Sequence, residues 1–327
     1  MAKQMIPFCF HPTTTLVVDD DPSLSQWLSV QLIGLGLSEF FTAPAQALEV
    51  LRQYKPDFFT KRVASSHETF DISHHDKRSL EIDLSKIREE INSVEHGKQV
   101  TVIIIDYAMP GMTGLEFCQE IRDLPMKKIL LTGEADYTIA VSAFNDGLID
   151  RFILKSDPDL FAVIEKSVFE LQFAYFQDLS RLIFDSMVPR DRKFTHCLSD
   201  NRFFSSFFLG ALKRLKIKEF YLWDHAVNFL LKNEQGVVSW MMIRDDVSAV
   251  DAALMAEQVY NEQPTPEGLA ILEQINARKK LPFFYPYYNE TWSLEDWAPY
   301  LHEVELVEGD RGVYYVAIVQ KSALYSL

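Results

Sequence analysis

The run Val102-Ile103-Ile104-Ile105-Asp106 constrains this 327-residue chain more than any other segment. Four β-branched residues in succession read as a strand buried on both faces, the pattern of parallel sheets. A carboxylate stands where that strand ends. Three further segments repeat the plan: Leu16-Val17-Val18 runs into Asp19, Asp20 and Asp21, Lys128-Ile129-Leu130-Leu131 into Thr132, and Arg151-Phe152-Ile153-Leu154 into Lys155. Open α/β sheets place their chemistry at the carboxyl ends of their strands, so these polar residues are predicted to share one cleft.

The residue types then suggest a reaction. Asp19, Asp20 and Asp106 in one cleft repel each other, which raises carboxylate pKa values unless a cation joins them. Carboxylates, a main-chain carbonyl and water make a site for Mg²⁺, which works beside phosphates, and Lys155 adds a second positive charge. Such a cleft suits phosphoryl transfer, where positioning and charge neutralisation carry most of the catalysis. A carboxylate nucleophile gives an acyl phosphate. Asp21, followed by Pro22, reads as a helix-start residue rather than a ligand.

Together these features resemble the receiver domain of two-component response regulators. That family has an acidic pair after strand 1 (here Asp19 and Asp20) and a phosphoacceptor Asp after strand 3 (Asp106), followed by Met-Pro-x-Met-x-Gly (Met109 to Gly114). It also has Ser or Thr after strand 4 (Thr132), and an aromatic three residues before a Lys at strand 5 (Phe152 and Lys155). The chain departs from the pattern at Ser156, where proline is usual, and at Gly133, where alanine is common. The resemblance implies a flavodoxin-like parallel five-stranded sheet of order 2-1-3-4-5. It implies that Asp106 accepts a phosphoryl group from a histidine kinase or phosphotransfer protein, with Asp20, Asp106 and the Ala108 main-chain carbonyl binding Mg²⁺ directly and Asp19 through water. It further implies that Lys155 pairs with the phosphoryl group, that Thr132 swings its hydroxyl onto a phosphoryl oxygen, and that Phe152 turns inward behind it. That rotation would repack the face of the fourth helix, fifth strand and fifth helix.

Composition sets the other bounds. The length suggests two domains, and 48% hydrophobic residues allow two cores. A net charge of −15 argues against a general binder of nucleic acids or anionic membranes. Cys9, Cys118 and Cys197 have neither metal nor redox spacing. No apolar run is long enough for a membrane span, and a cytoplasmic protein is expected.

Residues 1–157 are assigned to the receiver, 158–190 to a helical connector and 191–327 to an output domain. Between the second helix and strand 3 lie about forty residues, 58–99, too many for an ordinary connection. The first half of this insert reads as a solvated polar loop. His67, His74 and His75 beside Asp71 and Asp76 have no metal-ligand spacing. Leu84, Ile87, Ile91 and Val94 then mark a helix near Asp83 to Glu95. The insert serves as a partner surface or as a brace against the second domain. In the connector, apolar positions from Leu160 to Leu182 step by three or four along a helix of about 30 residues. One reading is a packed linker helix. The other is a helical dimer seam driven by Phe173, Phe176 and Phe184.

The C-terminal segment is predicted as an α+β domain. Asn201–Leu215 reads as a helix, Glu219–Trp223, Val227–Leu231 and Val237–Ile243 as strands, and Asp246–Tyr260 and Thr265–Lys280 as helices, with a final hairpin of Leu301–Val307 and Val313–Val319. Residues 190–327 carry 15 basic against 19 acidic side chains, which disfavours DNA binding. Lys213 to Lys218 reads as a solvated helix end. Cyclase, phosphodiesterase, P-loop and dinucleotide motifs are missing. His196, His225 and His302 are isolated, and the aromatic stretch Leu281 to Tyr300 reads as cover for a small core.

The sequence thus describes a response regulator rather than a metabolic enzyme. It would act as a phosphorylation-dependent homodimer whose output binds a protein or small ligand. A catalytic or degenerate nucleotide-binding (cyclase-like) output is the alternative, and a DNA-binding regulator the third. A receiver with an extended insert and an output unlike a DNA-binding module is also similar to the quorum-sensing response regulators of the Lqs system.

Overall fold

The computed structural model describes residues 5–54, 64–67, 79–91, 97–133, 136–186, 196–284, 289 and 291–320. Within them the chain forms two compact units, one drawn from residues 10–63 and 89–182, the other from 1–9, 64–88 and 183–327. This differs from the sequence division at 157/158 and 190/191. Residues 160–182 of the connector belong with the receiver strands, while 5–9 and the described part of 64–88 belong with the C-terminal residues.

The first unit is a parallel sheet of β1 (Thr14–Val18), β2 (Ser38–Phe41), β3 (Val100–Asp106), β4 (Lys127–Thr132) and β5 (Arg151–Leu154). The strands lie in the order β5-β4-β3-β1-β2, the arrangement expected from the sequence. Alternate residues of the buried strands feed two cores. Leu16, Val18, Ile103, Ile105 and Leu130 pack under α2 (Pro44–Gln53), α3 (Gly114–Glu120) and α4 (Tyr137–Asn145). Val17, Val102, Ile104, Ile129 and Leu131 meet α1 (Pro22–Gln31) and α5 (Leu160–Ser186). Burial on both faces explains why these strands are continuous β-branched runs.

Helix α5 has 27 residues, about 40 Å at 1.5 Å per residue. Phe173 and Phe176 of the expected dimer seam are already buried, their ring centroids 5.3 and 5.7 Å from that of Phe10. They are therefore not available to drive a seam. Lys127 at the start of β4 holds the helix further along, with Nζ 2.7 Å from Asp178 Oδ2 and 3.3 Å from Asp150 Oδ1.

The second unit is built on a six-stranded sheet. It contains β6 (Ile217–Leu222), β7 (Asn228–Asn233), β8 (Val238–Arg244), β9 (Glu305–Glu308) and β10 (Val313–Gln320), with the short strand Cys9–Phe10 at the edge beside β6. The order is Cys9–Phe10, β6, β7, β8, β10, β9, and the labelled neighbours pair antiparallel. Phe8 O accepts a hydrogen bond from Leu222 N at 2.6 Å, and Ile6 N donates to Leu198 O at 2.7 Å. The α+β prediction holds for this region. Its expected strand Leu301–Val307 is split, however: Leu301–Glu303 pairs with Lys280–Pro282, and the chain reaches β9 only after Val304 N donates to Lys279 O. Helices α6 (Asp246–Glu262) and α7 (Pro266–Asn276) close a core around Leu272, Ile275, Leu294 and Trp297, with Phe284, Trp292 and Leu301 packed on it. The described part of the aromatic stretch is therefore core.

The insert also departs from expectation. Ala64–His67 is not loop but pairs antiparallel with Ser79–Ile82, followed by a helix at Leu84–Ile91. His74, His75, Asp71, Asp76 and Val94 lie outside the described residues. No described helix is long and apolar enough to cross a membrane.

Candidate functional site

Parallel pairing of β1 with β3 puts their carboxyl ends side by side. Asp106 is the last residue of β3, and Asp19 follows β1, its N–H donating to Phe41 O at 3.1 Å. Asp19, Asp20 and Asp106 each offer a carboxylate oxygen within 4.8 Å of the others. Asp19 and Asp106 are buried, and Asp20 is exposed. Asp21 caps α1 instead, its side chain accepting from Ser23 N at 2.8 Å, and this hydrogen bond holds its carboxyl below the ordinary value.

Lys155 follows β5, with its backbone N–H on Thr132 O at 2.9 Å. Its Nζ lies 2.8 Å from Asp106 Oδ1 and 3.1 Å from Asp19 Oδ2. Burial alone lowers a lysine pKa, but here the hydrogen bonds and charges of the two carboxylates outweigh it and raise the value. Asp19 is raised chiefly by burial, which a hydrogen bond from Asp21 N and the Lys155 ammonium only partly offset. Among the described residues, three carboxylates against one ammonium leave the cleft short of positive charge. A hard divalent cation with oxygen ligands fits that donor set.

Thr132 closes β4, fully buried, and its hydroxyl donates to Gly133 O at 3.2 Å. Phe152 is half-buried and meets α4 edge-on, its centroid 5.4 Å from Tyr137 and 6.2 Å from Phe144. Beside it, a cleft of about 520 Å³ is lined by Tyr137, Arg151, Val163 and Ser167. Ala108 starts a two-residue strand paired with Met112–Thr113, and Gly111 at φ 80° makes the turn between them.

Two features support the end of this motif. Thr113 and Glu116 form a capping box that starts α3, Glu116 N donating to Thr113 Oγ1 at 3.3 Å and Thr113 N to Glu116 Oε2 at 2.8 Å. The Thr-x-x-Glu spacing was readable as such. Gly114 packs so closely that a Cβ there would lie 2.4 Å from Asp106 O and 2.9 Å from Leu130 Cδ1. Gly114→Ala is therefore expected to cost about 1–3 kcal/mol in urea unfolding, because backbone must move. A loss under about 0.5 kcal/mol, the size of an ordinary surface change, would show that the approach is not tight.

Residues 76–165 match the response regulator receiver domain family. The chain carries a response regulator receiver domain. The match begins inside the insert and omits β1, whose Asp19 and Asp20 the fold returns to the receiver. The solved structure of the Legionella pneumophila response regulator LqsR is similar over 98% of this chain and 91% of that one, at 29% identity and a TM-score of 0.74. The cyclic di-GMP phosphodiesterase response regulator RpfG of Xanthomonas campestris pv. campestris is 41% identical over 61 residues, 17% of this chain. That similarity spans only 16% of RpfG.

Proposed function

We propose that the chain is a phosphorylation switch in which Asp106 accepts a phosphoryl group from a phosphohistidine of a kinase or phosphotransfer protein. The observation that carries this reading is the Lys155 ammonium spanning Asp106 and Asp19 at the carboxyl ends of the receiver strands. An Asp106 carboxylate oxygen forms the new P–O bond as the P–N bond breaks, and the electron pair leaves with the imidazole. Asp20, Asp106 and the Ala108 carbonyl would hold Mg²⁺ directly, and Asp19 through water. When bound, the ion neutralises charge on the phosphoryl oxygens. Lys155 loses one carboxylate charge as Asp106 becomes an acyl phosphate, and it pairs with the phosphoryl group. Thr132 turns its hydroxyl to a phosphoryl oxygen, and Phe152 turns inward behind it. The charge change thereby biases the face of α4, β5 and α5.

Output then follows from dimerisation and from protein or small-ligand binding by the C-terminal unit. Its acidic balance supports this over DNA binding. The whole-chain similarity to LqsR supports a response regulator of the same kind, with the quorum-sensing role that the sequence resemblance implies.

Light-scattering mass in solution tests the switch, with beryllofluoride and Mg²⁺ standing in for the phosphoryl group. The wild type is expected to double in mass, and Asp106→Asn to stay monomeric. Equal masses throughout would remove dimerisation from the mechanism.

A further inference from the structure

The C-terminal unit contains a cavity of about 780 Å³ between the β6–β7 turn, the end of β8 and the first turns of α6. Its size falls in the range of small-molecule sites, about 300–1,000 Å³.

The turn that forms one wall is firmly built. Asp224 accepts hydrogen bonds from Ala226 N at 3.0 Å, Asn228 N at 3.2 Å and Asn228 Nδ2 at 2.7 Å. From the other side the Arg244 guanidinium donates to Ala226 O, to Ile243 O at 3.0 Å and to Asn228 Oδ1 at 2.8 Å. These bonds fix Val227 at φ 58°, with its side chain buried. A β-branched residue in left-handed backbone is a genuine outlier, of the kind that clusters at binding sites. Here the strain sets Val227 beside Ile243 in the lining of the cavity.

The opposite wall comes from α6 and is apolar and wet. Val247 is 72% exposed and Met255 39%, with Ala252 half-buried between them. Covering these side chains would remove apolar surface from water. Cys197 also lines the cavity, but burial pushes its thiol up to about 12, so it stays protonated and unreactive.

Charge decides what kind of ligand fits. Among the described residues Arg244 is the only Lys or Arg in the lining, and it already donates to the turn. Asp245 and Asp251 lie in the lining as well. Asp245 occupies the α6 N-terminus in a capping box, accepting from Ser248 N at 2.8 Å. Among the described residues an anionic head group would thus meet two carboxylates, with the one guanidinium already engaged by the turn.

We infer that this cavity binds a mainly apolar small molecule that carries no negative charge, without covalent attachment. Its hydrogen-bonding end lies at the mouth, where His196 and His225 are exposed. This names a ligand class for the output of the proposed function but does not depend on phosphorylation of Asp106.

Three probes of equal length and different charge test it: 1-octanol, octanoate and octylammonium, followed by ligand-observed NMR on the full unphosphorylated chain. Octanol and octylammonium are expected to bind at one site, each at least about tenfold tighter than octanoate. Val247→Glu and Ala252→Trp should each weaken octanol by about tenfold or more while circular dichroism stays unchanged. Because Val247 is so exposed, its variant carries the test even if Ala252→Trp fails to fold. Octanoate binding as tightly as octanol, no octanol binding up to its solubility limit, or undiminished octanol binding in the Val247→Glu chain would overturn the inference. None of these results would bear on whether Asp106 accepts a phosphoryl group.

Discussion

Asp106→Asn is expected to take up no phosphoryl group from acetyl phosphate under conditions where the wild type is substantially labelled. The substitution keeps the side-chain shape but removes the nucleophile, because an amide oxygen cannot form a stable acyl phosphate. It also removes half of the pairing that Lys155 makes at 2.8 and 3.1 Å. Intact-mass spectrometry should show labelling reduced by at least about 100-fold, the lower end of the 10²–10⁴-fold scale of a lost proton-transfer group. Chelating divalent ions should suppress wild-type labelling in the same way. The cleft also predicts a stability effect. Asp19 is raised above its ordinary value mainly by burial, with the Asp106 charge adding to it, so ionising the cleft costs folding free energy at neutral pH. Millimolar Mg²⁺ should therefore raise Tm in the wild type, and less in Asp106→Asn. Undiminished label in the variant, mapped by peptide sequencing to Asp19 or Asp20, would reassign the acceptor.

Asp200→Ala should be the most damaging single substitution in the C-terminal unit. Its fully buried carboxylate accepts from Phe203 N at 2.8 Å, Asp310 N at 3.0 Å, Arg311 N at 2.9 Å and Tyr314 Oη at 2.9 Å. It thereby ties the helical segment beginning at Asn201 to the β9–β10 turn. Gly309 packs against it so closely that a Cβ would lie 2.5 Å from Asp200 Oδ2. Hydrogen bonds to a charged group are worth about 1.5–3 kcal/mol each and are not additive, so a total loss of about 3–5 kcal/mol is expected. The network also sets an acid limit. Burial raises the Asp200 carboxyl, the four hydrogen bonds outweigh it, and the folded value ends below the ordinary one. Its contribution is therefore complete above about pH 5 and lost as pH falls through the folded value. Urea unfolding at pH 7 and near pH 3 should show wild type and Asp200→Ala far apart at the first and converging at the second. A constant gap would assign the loss to packing.

The receiver was legible because its strands are buried on both faces. Val102 to Ile105 can be little else, and its reactive groups stand at strand ends where their positions follow from topology. The insert hairpin was not legible, since Ala64–His67 is short, polar and without alternation. The edge strand at Cys9–Phe10 was hidden behind Pro7 and by the distance to its partner. The output cavity left no motif either. Its walls come from positions scattered between His196 and Met255, and the left-handed backbone of Val227 has no signature in a residue that ordinarily favours strands.

Residues 5–9 reach their partners only across the whole receiver. Roughly 210 residues separate Cys9 from the strand β6 beside it, a long closure even though its entropy grows only logarithmically with length. The receiver is in this sense spliced into the second unit rather than placed ahead of it. During synthesis the N-terminal segment must wait for β6 to be made, among the last of its contacts to form. Cutting the chain at residue 190 would then yield an output fragment with one sheet edge uncovered, prone to pair with a neighbour.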